Sequence, residues 1–415
     1  MRARFGWWLA GALAGACFVE IPEPTADDVS TGGAGTGGGG SGGTDSSVGG
    51  DAGSGASGGL GGLGGTSGSD SGPNAPVVFL SAAEIQKILA AVQFSPWDQA
   101  LPGMQDAAKQ APTQGKWVTA NGAPSGSTDI HAYGGDEAPD GGESDYAAGI
   151  FTGQAARDLA VGYAFTKNPV YGSAAVELLH GWFVSPATRM APAATDTQGQ
   201  SFLVSLILPS MFYAASLVWD QQQWNFYDGG NARAELVAWV SAYLSAAESV
   251  EPSDTWSLAA RAAGAALIGD SARLTATFDA MKNVAATKIG DDGSYAGSAD
   301  LYGAYLNLRG LVYTAEVARE HGVDLYAYSP DGGAPLLRRA LEAHATWYVS
   351  GGDPYGGGGI PNAWSAEDAL SILEPAHSVW QSAVLLGAIQ ARGRPLQDYR
   401  TLGPATLTHA DRFKL

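Results

Sequence analysis

The side chains best suited to chemistry sit in a few short stretches. Gly181-Trp182-Phe183-Val184-Ser185-Pro186-Ala187-Thr188-Arg189-Met190-Ala191-Pro192 closes a strongly apolar segment and breaks at Pro186. It then leads through a polar loop holding Arg189, Gln198 and Gln200 into another apolar run. A loop pinned between two buried helices presents polar groups at fixed positions. The planar fork of Arg189 can pair with a carboxylate, although an arginine just past a helix end also caps carbonyls. His131 lies in a Gly-rich polar loop rather than on an apolar face, as suited to contacting a ligand as to lying at the surface. Tyr302 and Tyr305 share one helix turn, and only one is expected to face a cleft. The alternative for both is packing, a common use of tyrosine. His344 falls in phase with Leu337, Leu341 and Tyr348 and reads as a satisfied core histidine, and His180, beside Leu179 and Trp182, reads the same way. His377 opens a late helix from which it could reach a cleft rim. No spacing among the six histidines resembles a zinc site, no Gly-rich phosphate loop stands between a strand and a helix, and the run Gly356 to Gly359 reads as a loop only.

The elements that must hold these groups are helices. Ser81-Ala82-Ala83-Glu84 is a capping-box pattern opening the stripe Ile85, Ile88, Leu89, Val92. Comparable stripes run from Ala155 to Phe165, Ala174 to Val184, Phe202 to Trp219, Ala232 to Ala247, Trp256 to Ile268, Leu274 to Ala286, Leu301 to Ala318, Leu336 to Val349 and Val379 to Ile389. No sustained period-two alternation suggests a large sheet, so the fold class is all-α. The small residues of Leu258-Ala259-Ala260-Arg261-Ala262-Ala263-Gly264-Ala265-Ala266 suit an inner ring of closely approaching helices. Periodicity alone leaves a solenoid and a closed toroid equally open.

The remainder of the 415 residues is organised differently. Arg2 and Arg4 precede an apolar run from Phe5 to Ala16 too short to span a bilayer, ending at Cys17, the only cysteine. Residues 1–17 read as a signal peptide. Leu13-Ala14-Gly15-Ala16-Cys17 resembles a bacterial lipobox, with Cys17 as the expected lipidation site and Ala14 standing where a larger aliphatic is usual. Residues 18–76 are dominated by Gly, Ser, Thr, Ala and Asp and cannot offset their ordering entropy, which makes them a tether. The folded domain is then 77–415, of a size that one hydrophobic core can hold. A formal net charge of −19 argues against nucleic acid, whose phosphates need a basic footprint. An anionic ligand would have to be met by a local cluster of cationic and polar groups against the overall field.

The stretch from Trp182 to Pro192 resembles the Trp-Phe-x-x-Pro-x-Thr-Arg-Met-x-Pro signature of the alginate lyase family of polysaccharide lyases, which fold as α/α toroids. The likeness continues, in order, over roughly residues 110 to 350. Pro124-Ser125-Gly126-Ser127-Thr128-Asp129-Ile130-His131-Ala132-Tyr133 is similar to an early Pro-Ser-Gly-x-x-His-x-Tyr element. Ile289-Gly290-Asp291-Asp292-Gly293-Ser294, with Tyr302, Tyr305 and Ala315-Glu316-Val317-Ala318, is similar to the family's Asp-Gly-Ser loop and tyrosine-bearing helix. The resemblance implies β-elimination from a polyuronate without metal or organic cofactor. Tyr302 matches the catalytic tyrosine, and Arg189 or His131 handles the carboxylate. Gln198, Gln200, Trp256, Tyr305 and His377 become expected substrate contacts. Of the twelve tryptophans, Trp117, Trp256 and Trp364 could stack on sugar rings. The family's Asn-Asn-His is absent: Pro252 and Ser253 stand where its second Asn and its His would be, before Thr255-Trp256. Two other classes therefore stay open. One is a toroid that binds carbohydrate without turnover. The other is an inverting glycoside hydrolase using two of Asp254, Asp300, Glu367 and Asp368. The expected partners are an acidic polysaccharide and, through a lipid anchor only, a membrane, with the protein monomeric. Its expected place is the outer membrane, cell surface or periplasm.

Overall fold

The computed structural model describes residues 75–114, 145–186, 189–190, 200–248, 255–357 and 359–411. Their helices are α1 (Ala82–Ala91), α2 (Trp97–Gln114), α3 (Asp145–Thr166), α4 (Pro169–Phe183), α5 (Gln200–Leu217), α6 (Ala232–Glu248) and α7 (Thr255–Ile268), followed by α8 (Ser271–Lys288), α9 (Leu301–Glu320), α10 (Leu336–Ser350), α11 (Ala363–Leu370), α12 (Leu373–Trp380), α13 (Ala383–Arg392) and α14 (Ala405–His409). Among the described residues the only β pairing is two isolated bridges, Ile289 with Tyr295 and Asp398 with Gly403. No helix among them is long and apolar enough to cross a membrane.

The helices form two layers because two kinds of sequence alternate. In α7, all but three residues are buried, and most are alanine; in α9, fifteen residues from Leu301 to Ala318 are buried. Such helices, apolar all round, belong inside. α10 instead carries one buried stripe, Leu336, Leu337, Ala340, Leu341, His344 and Ala345, and is an outer helix. The inner series α3, α5, α7, α9 packs neighbour to neighbour, while α4, α6, α8 and α10 return the chain outside it. The inner helices consequently run parallel. Glycines set how close they come. A Cβ on Gly153 would lie 2.5 Å from Ser210 Oγ, and one on Gly310 would lie 2.5 Å from the Thr255 backbone.

The ring closes through the C-terminal segment. α14 packs on α1, α2 and α12, and the stretch 401–411 is buried throughout. Polar groups beside it fasten it to the ring. Asp398 accepts from Tyr313 Oη at 2.5 Å and from the amides of Arg400 and Thr401, while its carbonyl accepts from Arg157. Glu374 holds Arg394 through both oxygens at 2.8 and 2.6 Å. These groups seal the end of the toroid at which the inner helices finish. At α1, Ser81 Oγ accepts from the Glu84 amide and the Glu84 carboxylate accepts from the Ser81 amide, so the expected capping box is present.

Two expectations about the elements change. The apolar run Val379 to Ile389 is not one helix: α12 stops at Gln381, which adopts φ +50°, and Ser382 caps α13 by accepting from the Leu385 amide. α2 has no counterpart among the sequence stripes. Its buried face, Trp97, Ala100, Met104, Ala108 and Ala111, keeps a spacing of three and four but is built largely of alanine.

Candidate active site

The inner helices α3, α5, α7 and α9 begin at the same end of the toroid, each after a connection from the preceding helix. The connections are residues 115–144 before α3, 184–199 before α5, 249–254 before α7 and 289–300 before α9. The stretches singled out for chemistry fall on these four connections and on the first turns they lead into. Of the opposite connections, 167–168 and 269–270 are tight turns, whereas 218–231 and 321–335 are longer.

The Trp182–Met190 segment shows how the scaffold aims one of them. Trp182 and Phe183 are buried, with Phe183 edge-on to Trp239 at 4.6 Å. The chain then doubles back so that the Met190 amide donates to the Trp182 carbonyl at 2.9 Å and its carbonyl accepts from Trp239 Nε1 at 2.7 Å. Met190 is buried in consequence, and Arg189 beside it is exposed. Among its described residues, Trp182, Phe183, Val184 and Met190 are therefore anchorage, and Arg189 is the exposed cation. His131, Gln198, Cys17, Trp117 and the Pro252-Ser253 pair lie outside the described residues, as do the side chains of Gln200 and Trp364.

The connection into α9 is the best defined. Gly293 takes φ +84°, and a Cβ there would sit 2.7 Å from the Arg339 carbonyl; only glycine lets this turn press against α10. The Ser294 amide donates to Asp292 Oδ1 at 2.9 Å, and Ile289 pairs with Tyr295 across the turn. Asp300 caps α9 by accepting from the Gly303 amide at 2.6 Å. Two residues on, Tyr302 retains 8% exposure, whereas Tyr305 has none. The first two turns of α9 stand beyond the start of α7, because Thr255 packs level with Gly310. A loop from α10 walls this projection: a Cβ on Gly357 would lie 2.3 Å from the Ala299 carbonyl and 2.7 Å from Asp300 Cβ.

Several expected contacts are corrected by burial. Trp256 is fully buried, donates its indole N–H to the Leu306 carbonyl at 2.9 Å and stacks edge-on with Tyr313, so it joins α7 to α9 instead of meeting a ligand. Tyr305 is fully buried edge-on to His344, and burial raises its phenol well above the usual range. His377 is also interior, with Nδ1 bound to the Ser382 carbonyl and Nε2 3.6 Å from Asp411. The hydrolase carboxylates are engaged elsewhere. Asp368 is fully buried against Arg309 at 2.8 Å, Glu367 pairs with Arg392 at 2.7 Å, and Asp300 serves as the cap. Asp254 lies outside the described residues. His344 is the satisfied core histidine that its phase predicts; His180 is not, being half-exposed, stacked on Tyr227 and 2.9 Å from Asp228. Tyr355, beside the Gly356–Gly359 run read as a plain loop, was missed. Its hydroxyl binds both His344 Nε2 and the Tyr295 amide. Nothing local in sequence pairs these residues.

A cavity of about 320 Å³ lined by Arg319, Gly322, Val323, Asp324, Tyr326 and Val379 lies at the far end of α9, roughly 25 Å along the helix from Tyr302 at 1.5 Å per residue. It belongs to the sealed end. At the other end the arrangement offers a phenol at the start of α9, an exposed guanidinium on the connection into α5, and the N-termini of parallel helices, whose partial positive charge favours anions. Among the described residues no group of three His, Cys, Asp or Glu side chains is placed to hold a metal ion.

The alginate lyase family profile matches residues 99–354. An alginate lyase from Bacteroides ovatus superposes with a TM-score of 0.61 at 17% identity, covering 81% of this chain and 100% of that one. Alginate lyase A1-III from Sphingomonas species A1 gives 0.58 at 17% identity, over 81% and 97% of the two chains. A tyrosine-to-phenylalanine variant of A1-III complexed with a tetrasaccharide gives 0.58 at 17% identity, over 80% and 94%. No curated protein sequence matches the chain. The structural likenesses establish the α/α toroid fold, and the profile spans more than half of the sequence: the chain belongs to the alginate lyase family of polysaccharide lyases.

Proposed function

We propose that the protein is an exported, surface-tethered lyase that cleaves a uronate-containing, alginate-like polymer by β-elimination at the open end of the toroid. The observation that carries this reading is the position of Tyr302. It stands on the projecting first turn of α9, at the end where all four inner helices begin. Tyr302 takes the proton from the carbon bearing the uronate carboxylate. Electrons from that C–H bond form a double bond to the neighbouring carbon as its glycosidic C–O bond breaks, and the departing sugar oxygen receives a proton. The carboxylate, which carries developing charge, needs neutralising donors. Arg189 supplies the cation, with Gln198 from the same connection and His131 from the connection before α3. The N-termini of α3, α5, α7 and α9 face the same end and add partial positive charge within a chain of net charge −19. Export and tethering follow from the apolar N-terminus ending at Cys17 and the Gly-rich stretch after it.

A second reading is a carbohydrate-binding toroid without turnover, favoured by Pro252 and Ser253 in place of the Asn-Asn-His. One assay separates the two. The protein is incubated with a panel of polyuronates while the ultraviolet absorbance of the conjugated double bond is followed, with binding measured by calorimetry. Absorbance rising with any polymer supports the lyase; binding with no rise supports the second reading.

A further inference from the structure

We propose that Tyr355 is a positioning residue for Tyr302, holding the first turns of α9 in place through a three-way hydrogen-bonded junction with His344 and the backbone amide of Tyr295. This rests on Tyr302 being the acid and base of the lyase reading.

The junction ties together three separate segments. His344 comes from α10, Tyr295 from the turn before α9, and Tyr355 from the loop after α10. His344 Nδ1 lies 2.8 Å from the Ala340 carbonyl, which can only accept, so Nδ1 carries the proton. Nε2 of the neutral ring is then an acceptor, and the Tyr355 hydroxyl, 2.8 Å away, donates to it. The same hydroxyl oxygen accepts from the Tyr295 amide at 2.7 Å. Each group has one role available, and reversing any one of them leaves a buried polar atom unpaired. Burial pushes His344 down to about 4 and Tyr355 up to about 12, so both stay neutral over the ordinary pH range.

Two contacts carry this junction to Tyr302, one on either side of it in the chain. Before it, Gly357, two residues after Tyr355, lies against Ala299 and Asp300, where an added Cβ would fall 2.3 Å from the Ala299 carbonyl. After it, the edge of the Tyr305 ring packs on His344 with centroids 5.5 Å apart. Residues 299–305 are thereby clamped by the loop after α10 and by α10 itself, with Tyr302 at the middle of the clamp. A shift of about 1 Å in a reacting group lowers turnover far more than it lowers binding.

The test is Tyr355→Phe in the full chain, with Trp347→Phe as a control in the same aromatic cluster: Trp347 packs edge-on to His344 and Tyr355 but takes no part in the junction. Two readouts are taken: kcat and KM on a polyuronate, and amide hydrogen exchange over residues 289–305. The expected result for Tyr355→Phe is a kcat lowered roughly tenfold or more with KM within about twofold, and faster exchange at Tyr295 and across 301–305. Trp347→Phe should leave both readouts close to wild type. Unchanged kcat and exchange in folded Tyr355→Phe overturn the proposal, and so does an equal loss in Trp347→Phe, which would make the effect one of general packing. If the wild type has no lyase turnover, the lyase reading fails on its own. The clamp is then judged by exchange, where protection equal to wild type overturns it and accelerated exchange confined to 289–305 supports it.

Discussion

The two ends of the toroid are held by different chemistry. At the sealed end the fastening is charge: Arg394 with Glu374 beside the C-terminal segment, and Arg319 among Glu84, Glu316 and Glu320 where α9 finishes. At the open end the junction beside Tyr302 is made of neutral hydrogen bonds, the Tyr355 hydroxyl to His344 and the Tyr295 amide to Tyr355, next to the Asp300 cap of α9 and an exposed Asp291–Arg339 pair. Buried ion pairs suit a place where nothing need enter, since each partner is satisfied only while water stays out. A site for an acidic polymer has the opposite need. Fixed charge beyond the Asp300 carboxylate, which is committed to the α9 cap, would repel the substrate or compete with the groups that must meet its carboxylate. Neutral fastening keeps the few cations of this acidic chain, such as the exposed Arg189, available for the ligand.

The contrast can be broken first at the open end. Tyr302→Phe should lower turnover by roughly 10²- to 10⁴-fold, the usual worth of a positioned acid or base, while polymer affinity measured by calorimetry changes little. Undiminished turnover would remove Tyr302 from the chemistry. Farther along α9, Arg309→Ala takes the nearer cation from the fully buried Asp368 carboxylate, leaving Arg400 at 3.5 Å. It should cost about 3–5 kcal/mol in denaturant unfolding with no specific effect on KM for the folded fraction.

Acidity should separate the ends by sign. Burial holds His344 near 4, against an ordinary value of 6.5. Between those values the unfolded chain takes up a proton that the fold refuses, so stability falls as pH drops from 6.5 to 4 and levels off below. The loss at this one residue is about 3 kcal/mol, and His344→Gln should flatten that part of the unfolding profile. Glu320, buried beside Glu84, is raised to about 8 from 4.5. There the fold keeps a proton that the unfolded chain releases, so stability falls as pH climbs from 4.5 to 8, and Glu320→Gln should remove that decline. A smaller effect is expected of Gly293→Ala. With φ at +84° and the Arg339 carbonyl in the way, it should cost roughly 1–3 kcal/mol and displace the turn before α9, visible as faster amide exchange there.

The sequence disclosed the layers more readily than the contacts between them. Apolar residues at spacings of three and four located the helices with strong stripes, and the alanine run in α7 marked an inner helix, because small residues on every face have no other use. α2 escaped since Ala100, Ala108 and Ala111 give its buried face a faint apolar signal. The break at Gln381 escaped since its cause, a left-handed residue followed by a serine cap, lies inside an unbroken apolar run. Trp256 was misassigned because its place next to the missing motif suggested a site, whereas its depth depends on the facing helix α9. The Tyr355 junction and the Arg309–Asp368 pair join residues from 11 to 60 apart, and no local pattern encodes such partners.

The most direct test of a lyase at the open end is the mass balance of cleavage. A defined polyuronate oligomer is digested with the full-length protein and the fragments are weighed by mass spectrometry. Elimination predicts fragments whose masses sum to that of the parent, one of them unsaturated. Fragments that together exceed the parent by one water would mean hydrolysis and would contradict the account.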